Sequence, residues 1–597
     1  MRYKIALTFF ALVWIVLLSR VYYLAIKSNS YYETLAKQNM IKKEWIIPVR
    51  GEIFDRNKIP LAVNKIGFKI TLQPHMHSSE LNQTILTLQE FFHDLNATKI
   101  VRRYNRDNSP YNHDFIEVVP FIDYYELLPY FTKLQLNPHI AIEPTFKRYY
   151  PQGKIASHIL GYVGKTNRKE AKSDKVAKIT GIIGKNGLEK FYNSYLEGQL
   201  GYKLVKVSAF NEELETLKRV DPVQNNHLYT TIDLRLQKYI QSLFEGKMGV
   251  AIVMKTDGEI LAAVSYPEYD LNMFVSGISR KDWQRLITDL SHPFTNKLIH
   301  GLYPPGSTIK MGVGLSFIDS RKISAYTPFY CKGYIELGKR KFRCWKTWGH
   351  GEVRLVKAIR ESCDVYFYEG SLRVGINKIA HDLRKMGLGV RSGVDLPNEF
   401  IGVIPDKAWK MRHYKMPWYK GETVVSAIGQ GYDLVTPMQI ARYTALIASG
   451  KLPTPHFAKS FKDKPYKKKI QDILSPLQKR NLNFIQRGMY EVCNHEKGTA
   501  YKYLNTPIII AGKTGTAQIV GIPQDEKERM KEEDMAYYTR SHAWLTTYAP
   551  YHNPKYVVTI LVEHGGHGGS AAGPIVSKIY WKMMELGYFK ANDLKQK

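Results

Sequence analysis

Residues 5–26 form an almost unbroken apolar run, interrupted chiefly by Ser19 and Arg20, and no other feature restricts the folding of this chain so strongly. A helix of that length spans a hydrocarbon core, and it satisfies its own backbone polar groups where water is absent. Arg20 stands near one end, where its stem can lie in the apolar layer while the guanidinium reaches the headgroups. A cleaved secretory signal is the alternative. It would need a small-x-small cleavage site, and the residues that follow are Lys27-Ser28-Asn29-Ser30-Tyr31. The reading is a retained anchor behind a short tail at residues 1–4. Arg2 and Lys4 favour an N-terminus inside the cell, but Lys27, Lys37, Lys42 and Lys43 on the other flank weaken that preference, so topology has to come from the chemistry of the remainder.

The rest of the 597 residues, in a chain 44% hydrophobic and 23% charged, suffices for two or three folded units. A formal charge of +32 favours anionic partners, and nucleic acid, lipid headgroups and an acidic cell-wall polymer all qualify. No zinc-finger spacing, RNA-binding signature or basic-leucine arrangement is present, which argues against nucleic acid.

After the anchor, residues 31–43 read as a short polar helix leading into Arg50-Gly51-Glu52-Ile53-Phe54-Asp55-Arg56-Asn57, whose Asp-Arg-Asn turn marks a folded junction rather than a free tether. Residues 27–248 carry no set of catalytic groups and read as a non-catalytic, dimerisation-like pedestal. Within it, the basic stretch 165–178 reads as a solvated loop that could touch an anionic partner. A second unit, 249–590, opens with a hairpin (250–254 and 259–266) around Thr256-Asp257-Gly258 at the edge of a sheet. Two more strands are expected at 542–547 and 556–563, with a closing helix at 571–586 and a tail at 591–597. Strands at both ends with helical material between them predict an α/β sandwich with a mainly antiparallel sheet.

The middle of that unit holds the chemistry. Tyr303-Pro304-Pro305-Gly306 is a rigid turn that can deliver Ser307 to a helix start, and a spacing of three sets Lys310 on the same face. A hydroxyl attacks only when a nearby base takes its proton, and lysine serves when burial and neighbouring cations lower its pKa. Ser362-Cys363-Asp364 lies in a helical run at 355–368. Lys513-Thr514-Gly515-Thr516 follows an apolar strand-like stretch at 506–511, where the glycine would let a substrate backbone approach. Each triplet alone is common; their order and separations together are not.

The set Ser307-x-x-Lys310, Ser362-x-Asp364 and Lys513-Thr514-Gly515 resembles the active-site motifs of the penicillin-binding proteins and serine β-lactamases. Asp364 departs from the commoner Ser-x-Asn, and the departure resembles the elongation-specific class B type, penicillin-binding protein 2. So do Arg50–Asn57, Gly187-Leu188-Glu189, Thr231-Ile232-Asp233, Trp345-Lys346-Thr347-Trp348-Gly349-His350-Gly351, Ala427-Ile428-Gly429-Gln430-Gly431 and Gly498-Thr499-Ala500. The resemblance implies a serine-type D-Ala-D-Ala transpeptidase/carboxypeptidase that crosslinks peptidoglycan stem peptides during side-wall elongation and is acylated by β-lactams. Ser307 would be the nucleophile, Lys310 its base and Ser362 the proton donor to the leaving group. Lys513, Thr514 and Thr516 would hold the substrate carboxylate, and the backbone N–H groups of Ser307 and Thr516 the oxyanion. Asp364 would order the pocket rather than act as general base. Implied partners are a membrane glycan polymerase of the shape, elongation, division and sporulation class and scaffold proteins of the elongation complex. The implied location is the inner membrane, single-pass, with a cytoplasmic N-terminus and a periplasmic catalytic unit. Division-specific transpeptidation, a β-lactamase, a β-lactam sensor and an inert scaffold remain as alternatives.

Three of four cysteines, Cys331, Cys344 and Cys363, fall in one stretch with His350, a donor set that suits one structural zinc ion. A Cys331–Cys344 disulfide or unlinked thiols would also be ordinary outside the cytoplasm. Cys493 reads as an isolated core thiol. The glycine tract 564–569 lacks the Gly-Lys-Ser/Thr ending of a phosphate loop, and His564 and His567 read as loop-ordering groups rather than ligands.

Overall fold

The computed structural model describes residues 2–28, 34, 40–208, 213–224, 226–461, 464–519, 532 and 534–595. The apolar N-terminal run is helical over Arg2–Tyr22 and continues as a wider turn at Tyr23–Lys27, with no residue buried. It is the one helix among the described residues long and apolar enough to cross a membrane. Of the polar helix expected at 31–43, residues 31–33 and 35–39 lie outside the described residues, and residues 41–43 begin the strand Ile41–Ile46 instead. That strand pairs along its length with Gly201–Val207, so tertiary pairing overrides local propensity there.

The first large unit has a core of its own. Strand Pro60–Leu72 pairs with Ile140–Tyr149 on one side and Ile116–Asp123 on the other. Ile70, Leu72 and Leu88 are fully buried where helix Ser78–Phe91 joins that packing. Closer to the second unit, Glu189 is fully buried between Arg50 at 2.8 Å and Arg148 at 2.6 Å. Burial alone would raise its carboxyl; the two guanidinium groups overcome that and hold it below the usual carboxylate range. Asp55 closes the Asp-Arg-Asn turn, its Oδ1 accepting from the Asn57 and Ile59 N–H groups at 2.7 Å. The basic stretch 165–178 is not a loop. It forms helices Arg168–Ser173 and Lys175–Thr180, capped by Asn167 and Asp174, which accept from the third N–H of each at 2.9 Å.

The second unit is the expected α/β sandwich, and its five-stranded sheet is antiparallel throughout. The spatial order is Ile260–Tyr266, Gly249–Lys255, Tyr556–Val562, His542–Ala549, Ala511–Ala517. Helices Leu234–Ser242 and Gly568–Glu585 cover one face and Pro437–Ser449 the other, which is why the central strands are apolar in continuous runs. Helix Lys310–Asp319 is buried at nine consecutive residues from Lys310 to Ile318, as its all-round apolar sequence requires. The catalytic layer starts before residue 249: Gln237 exchanges two hydrogen bonds of 2.8 Å with the Ala263 backbone. Residues 591–595 are docked rather than free, with Asp593 paired to Lys555 at 2.9 Å. The two units share a sheet, because Leu228–Thr230 pairs with Ile53–Phe54 on one side and with Ala458–Phe461 on the other.

Candidate active site

Ser307 lies in the short 3-10 turn Gly306–Ile309, which feeds helix Lys310–Asp319. Its approach is held at three points. Tyr303 exchanges backbone hydrogen bonds with Val435 at 3.0 and 2.9 Å, the Trp544 indole donates to the Pro304 carbonyl at 3.1 Å, and the Gly306 N–H donates to the Gly429 carbonyl at 2.9 Å. Ser307 is half-buried, and its hydroxyl takes no hydrogen bond among the described residues. The Ser307 hydroxyl is therefore open to a group entering the site.

Lys310 is fully buried. Its Nζ donates to Asp364 Oδ1 at 2.6 Å, to the Ser362 carbonyl at 2.9 Å and to Ser362 Oγ at 3.3 Å. Lys513, also fully buried, donates to the same Ser362 Oγ at 2.9 Å. Burial, with the neighbouring Lys310 charge, holds the Lys513 ammonium well below the usual lysine range. With both lysine Nζ atoms donating to its oxygen, the Ser362 hydroxyl keeps its own proton for a group in the site.

The expected single helix over 355–368 is interrupted. Helix Leu355–Arg360 ends and Asp364–Val374 begins, with Ser362 between them at φ 52°. The break has a chemical reason. Residues two apart on a helix do not face one way, so only an interrupted backbone can aim both Ser362 and Asp364 at Lys310. Burial raises the Asp364 carboxyl in spite of the Lys310 charge. Its second oxygen accepts from the Trp345 N–H at 3.0 Å, so both oxygens are committed.

Lys513 lies inside the strand Ala511–Ala517; residues 506–510 form no strand, contrary to the sequence reading. Alternation sets Lys513 and Gly515 on the face towards Ser362 and the Ser307 turn, and Thr514 and Thr516 on the opposite face. A Cβ on Gly515 would come within 3.0 Å of Thr308 Cγ2 and 3.1 Å of the Pro305 carbonyl. Glycine here admits the Ser307 turn. Thr514 shares a 2.7 Å hydrogen bond with the Thr499 hydroxyl, and the Gln430 amide donates to the Thr516 carbonyl at 3.1 Å. Thr499 and Gln430 were given no site role in the sequence reading, although both stand in motifs quoted for the resemblance, Gly498-Thr499-Ala500 and Ala427-Ile428-Gly429-Gln430-Gly431. His564 packs against the His542, Tyr537 and Tyr538 rings, a loop-ordering arrangement.

Cys331, Cys344, His350 and Cys363 are all buried, with one ligand atom from each lying within 4.8 Å of the others. The cysteines are unbridged. His350 Nδ1 lies 3.5 Å from Cys331 Sγ and 3.6 Å from Cys344 Sγ. Three soft sulfurs and one imidazole converging in a buried site fit tetrahedral zinc. The Asp364 N–H points at Cys344 Sγ at 3.4 Å, so this cluster and the Lys310–Asp364 pair share a stretch of backbone. Cys493 is buried elsewhere, its thiol pushed up by burial.

Comparison with known proteins extends this site to the whole chain. Residues 248–581 match the penicillin binding protein transpeptidase domain and residues 46–230 the penicillin-binding protein dimerisation domain. The peptidoglycan D,D-transpeptidase MrdA of Haemophilus influenzae is 35% identical over 94% of this chain and 88% of its own length. The penicillin-binding protein PBP2 in a complex with MreC from Helicobacter pylori is 46% identical, covering 92% of this chain and 100% of that one, with a TM-score of 0.85. A chain of a peptidoglycan synthase complex, described as coordinating polymerization and crosslinking, is 26% identical with a TM-score of 0.70, covering 98% of each chain. The Ser-Lys-Ser-Lys constellation thus stands in a chain similar to known enzymes over 94% of its length, and the chain belongs to the penicillin-binding proteins, as a transpeptidase of the penicillin-binding protein 2 group.

Proposed function

We propose that this transpeptidase crosslinks peptidoglycan stem peptides during side-wall elongation through an ester on Ser307. The observation that carries this reading is the meeting of Lys310 and Lys513 on Ser362 Oγ beside the open Ser307 hydroxyl. Lys310 in its neutral form takes the Ser307 proton, and the oxygen attacks the carbonyl of a D-Ala-D-Ala end. The first-turn N–H of Ser307 has no partner within its helix, and with the Thr516 N–H it would receive the oxyanion. The C–N bond then breaks, and the leaving D-Ala amine takes the Ser362 proton, which the lysines replace. A stem-peptide amine displaces the ester and forms the crosslink; water in its place gives carboxypeptidase activity. Thr514 and Thr516, on one face of the edge strand, would hold the substrate carboxylate by hydrogen bonds, and Lys513 on the other face would supply charge attraction. Ala511–Ala517 is an edge strand of its sheet, which supports pairing with an extended peptide. Both Asp364 oxygens are occupied, which favours an ordering role over that of general base. β-Lactams would acylate the same serine.

The same reading divides the chain into an anchor at residues 5–26, a pedestal at 27–248 and a catalytic unit at 249–590, in the inner membrane with the catalytic unit periplasmic. The MreC complex of the Helicobacter pylori relative supports an elongation-complex scaffold as partner, and the synthase complex supports a membrane glycan polymerase. One zinc ion held by Cys331, Cys344, His350 and Cys363 would fix the 331–348 segment against the catalytic helix. Metal analysis of chain purified without chelators is expected to find one zinc per chain, lost in Cys331→Ser; a quantitative Cys331–Cys344 disulfide would overturn that assignment. The transpeptidase reading is tested by supplying the chain and its polymerase partner with lipid-linked precursor. Crosslinked muropeptides should form with wild type and not with Ser307→Ala, and crosslinks that persist in the variant would overturn it.

A further inference from the structure

The basic stretch at 165–178 keeps its charge unpaired in the fold. Lys165, Arg168, Lys169, Lys172, Lys175 and Lys178 are all exposed, and none has a carboxylate partner among the described residues. The acidic side chains of the stretch are committed elsewhere: Glu170 pairs with Lys185 at 2.6 Å, and Asp174 caps the helix Lys175–Thr180 through the Ala177 N–H at 2.9 Å. Like charges at this density repel one another, so the surface gains when it meets an anion.

These helices stand against the strand nearest the apolar N-terminal helix. Lys175 Nζ lies over the Trp45 ring at 4.2 Å, and Lys43 Nζ lies over the same ring at 4.3 Å and over Tyr202 at 3.9 Å. Residues opposite one another in a paired sheet share a face, so Ile41, Lys43 and Trp45 lie beside Lys206, Leu204 and Tyr202. Lys218 follows opposite Leu204 on the next strand, Glu213–Val220, where the one acidic residue in register with this face is Glu215, opposite Lys206. The other face differs. Its Lys42 pairs with Asp114 at 3.1 Å and lies 3.8 Å from Glu44. One face of the sheet thus neutralises its lysine within the pedestal, while the other sets two ammonium groups on one indole with no carboxylate bound to either among the described residues.

The setting favours a lipid phosphate over a soluble one. Residues 28–40 alone separate Lys27, where the apolar helix ends, from Ile41, which keeps the strand within about 50 Å of the headgroups. Trp45, Tyr202 and the exposed Ile41 are residue types that settle at the membrane–water boundary, and lysines beside them bury their stems while the ammonium meets phosphate. We infer that this face, formed by Ile41–Ile46, Gly201–Val207 and the helices Arg168–Ser173 and Lys175–Thr180, docks on the membrane surface and binds anionic phospholipid headgroups, with Lys43 and Lys175 at its centre. The inference rests on the reading of Arg2–Lys27 as a membrane anchor and is independent of the chemistry at Ser307.

The test uses the full chain in lipid nanodiscs of phosphatidylcholine, alone or mixed with phosphatidylglycerol, with hydrogen exchange read by mass. Exchange at 41–46 and 168–180 is expected to be at least about fivefold slower in the anionic discs, the effect of a single lysine near an anionic surface. The difference should vanish in about 1 M salt and in the Lys43→Gln, Lys175→Gln double variant, and persist in Lys42→Gln on the other face. Exchange of Ser78–Phe91 in neutral discs checks that each variant is folded, and the comparison of the two lipids on wild type decides the question even if a variant is not. Equal exchange of wild type in both discs, or lipid-dependent protection that survives in the folded double variant, would overturn the docking. Protection by inorganic pyrophosphate in neutral discs, without any from phosphatidylglycerol, would assign the face to a soluble phosphate and overturn it as well. Failure of the chain to co-purify with neutral discs would instead break the anchor reading.

Discussion

Ser362 sits at φ 52°, in a region non-glycine residues seldom adopt, and the strain coincides with the one oxygen that both buried lysines reach. Glu197 shows the same linkage of burial and charge away from the chemistry. Burial, with the neighbouring Asp174 carboxylate, pushes its carboxyl from 4.5 up to about 7. Between those values the folded chain holds a proton that the unfolded chain has released, so this group's contribution to stability falls as pH rises through the window. Glu197→Gln, which keeps the Asn193 hydrogen-bonding geometry without the charge, is expected to melt higher than wild type at pH 8. The difference should vanish near pH 4. Equal melting temperatures across that range would contradict the assignment. The residues that meet at Ser362 were legible because the proposed chemistry dictates their types: a hydroxyl needs a base, and a lysine base needs burial and a second cation. The contacts of Thr499 and Gln430 were not, since each hydrogen-bonds a neighbour that only the folded chain supplies.

At the scale of elements, the nucleophile turn depends on a backbone-to-backbone contact. Gly429 has φ 72°, and a Cβ there would come within 2.3 Å of the Gly306 carbonyl oxygen. Gly429→Ala should push the turn away and slow penicillin acylation by about 100-fold, the scale expected of an ångström of misplacement, while far-UV dichroism stays native. An unchanged acylation rate would mean that the turn is held from elsewhere. The strands of the catalytic sheet were readable from their apolar runs. The break at 361–363 was not, because the hydrophobic pattern runs on through it and only the need to aim two side chains at Lys310 interrupts the helix. The helices at 168–180 were readable in principle: Asn167-x-x-Glu170 is a capping box, obscured by the density of lysine around it. The strand at 41–46 was not, as its partner lies about 160 residues further along the chain.

Across the whole molecule, two cores divide the labour. The core around Ile70, Leu72 and Leu88 is separate from the one that spans the junction and the catalytic layers. Leu88→Ala should cost about 2–5 kcal/mol in that outer core, seen as faster hydrogen exchange in Ser78–Phe91. Penicillin acylation should stay within about twofold of wild type, as expected for distant independent sites. A parallel loss of acylation would show the two cores to be coupled. The junction itself is stiff by construction: Tyr192 donates to the buried Asp395 at 2.8 Å, and Asp395 also accepts the Phe457 and Ala458 N–H groups. The sheet shared between the pedestal and the catalytic layers was not visible in sequence, because Leu228–Thr230 and Ala458–Phe461 are too short to carry a pattern. The central claim is the covalent role of Ser307, and time-resolved intact mass of the full chain mixed with a penicillin tests it most directly. A long-lived one-to-one adduct on wild type, absent from Ser307→Ala, is the expected result. An adduct on the alanine variant, or none on folded wild type, would contradict it.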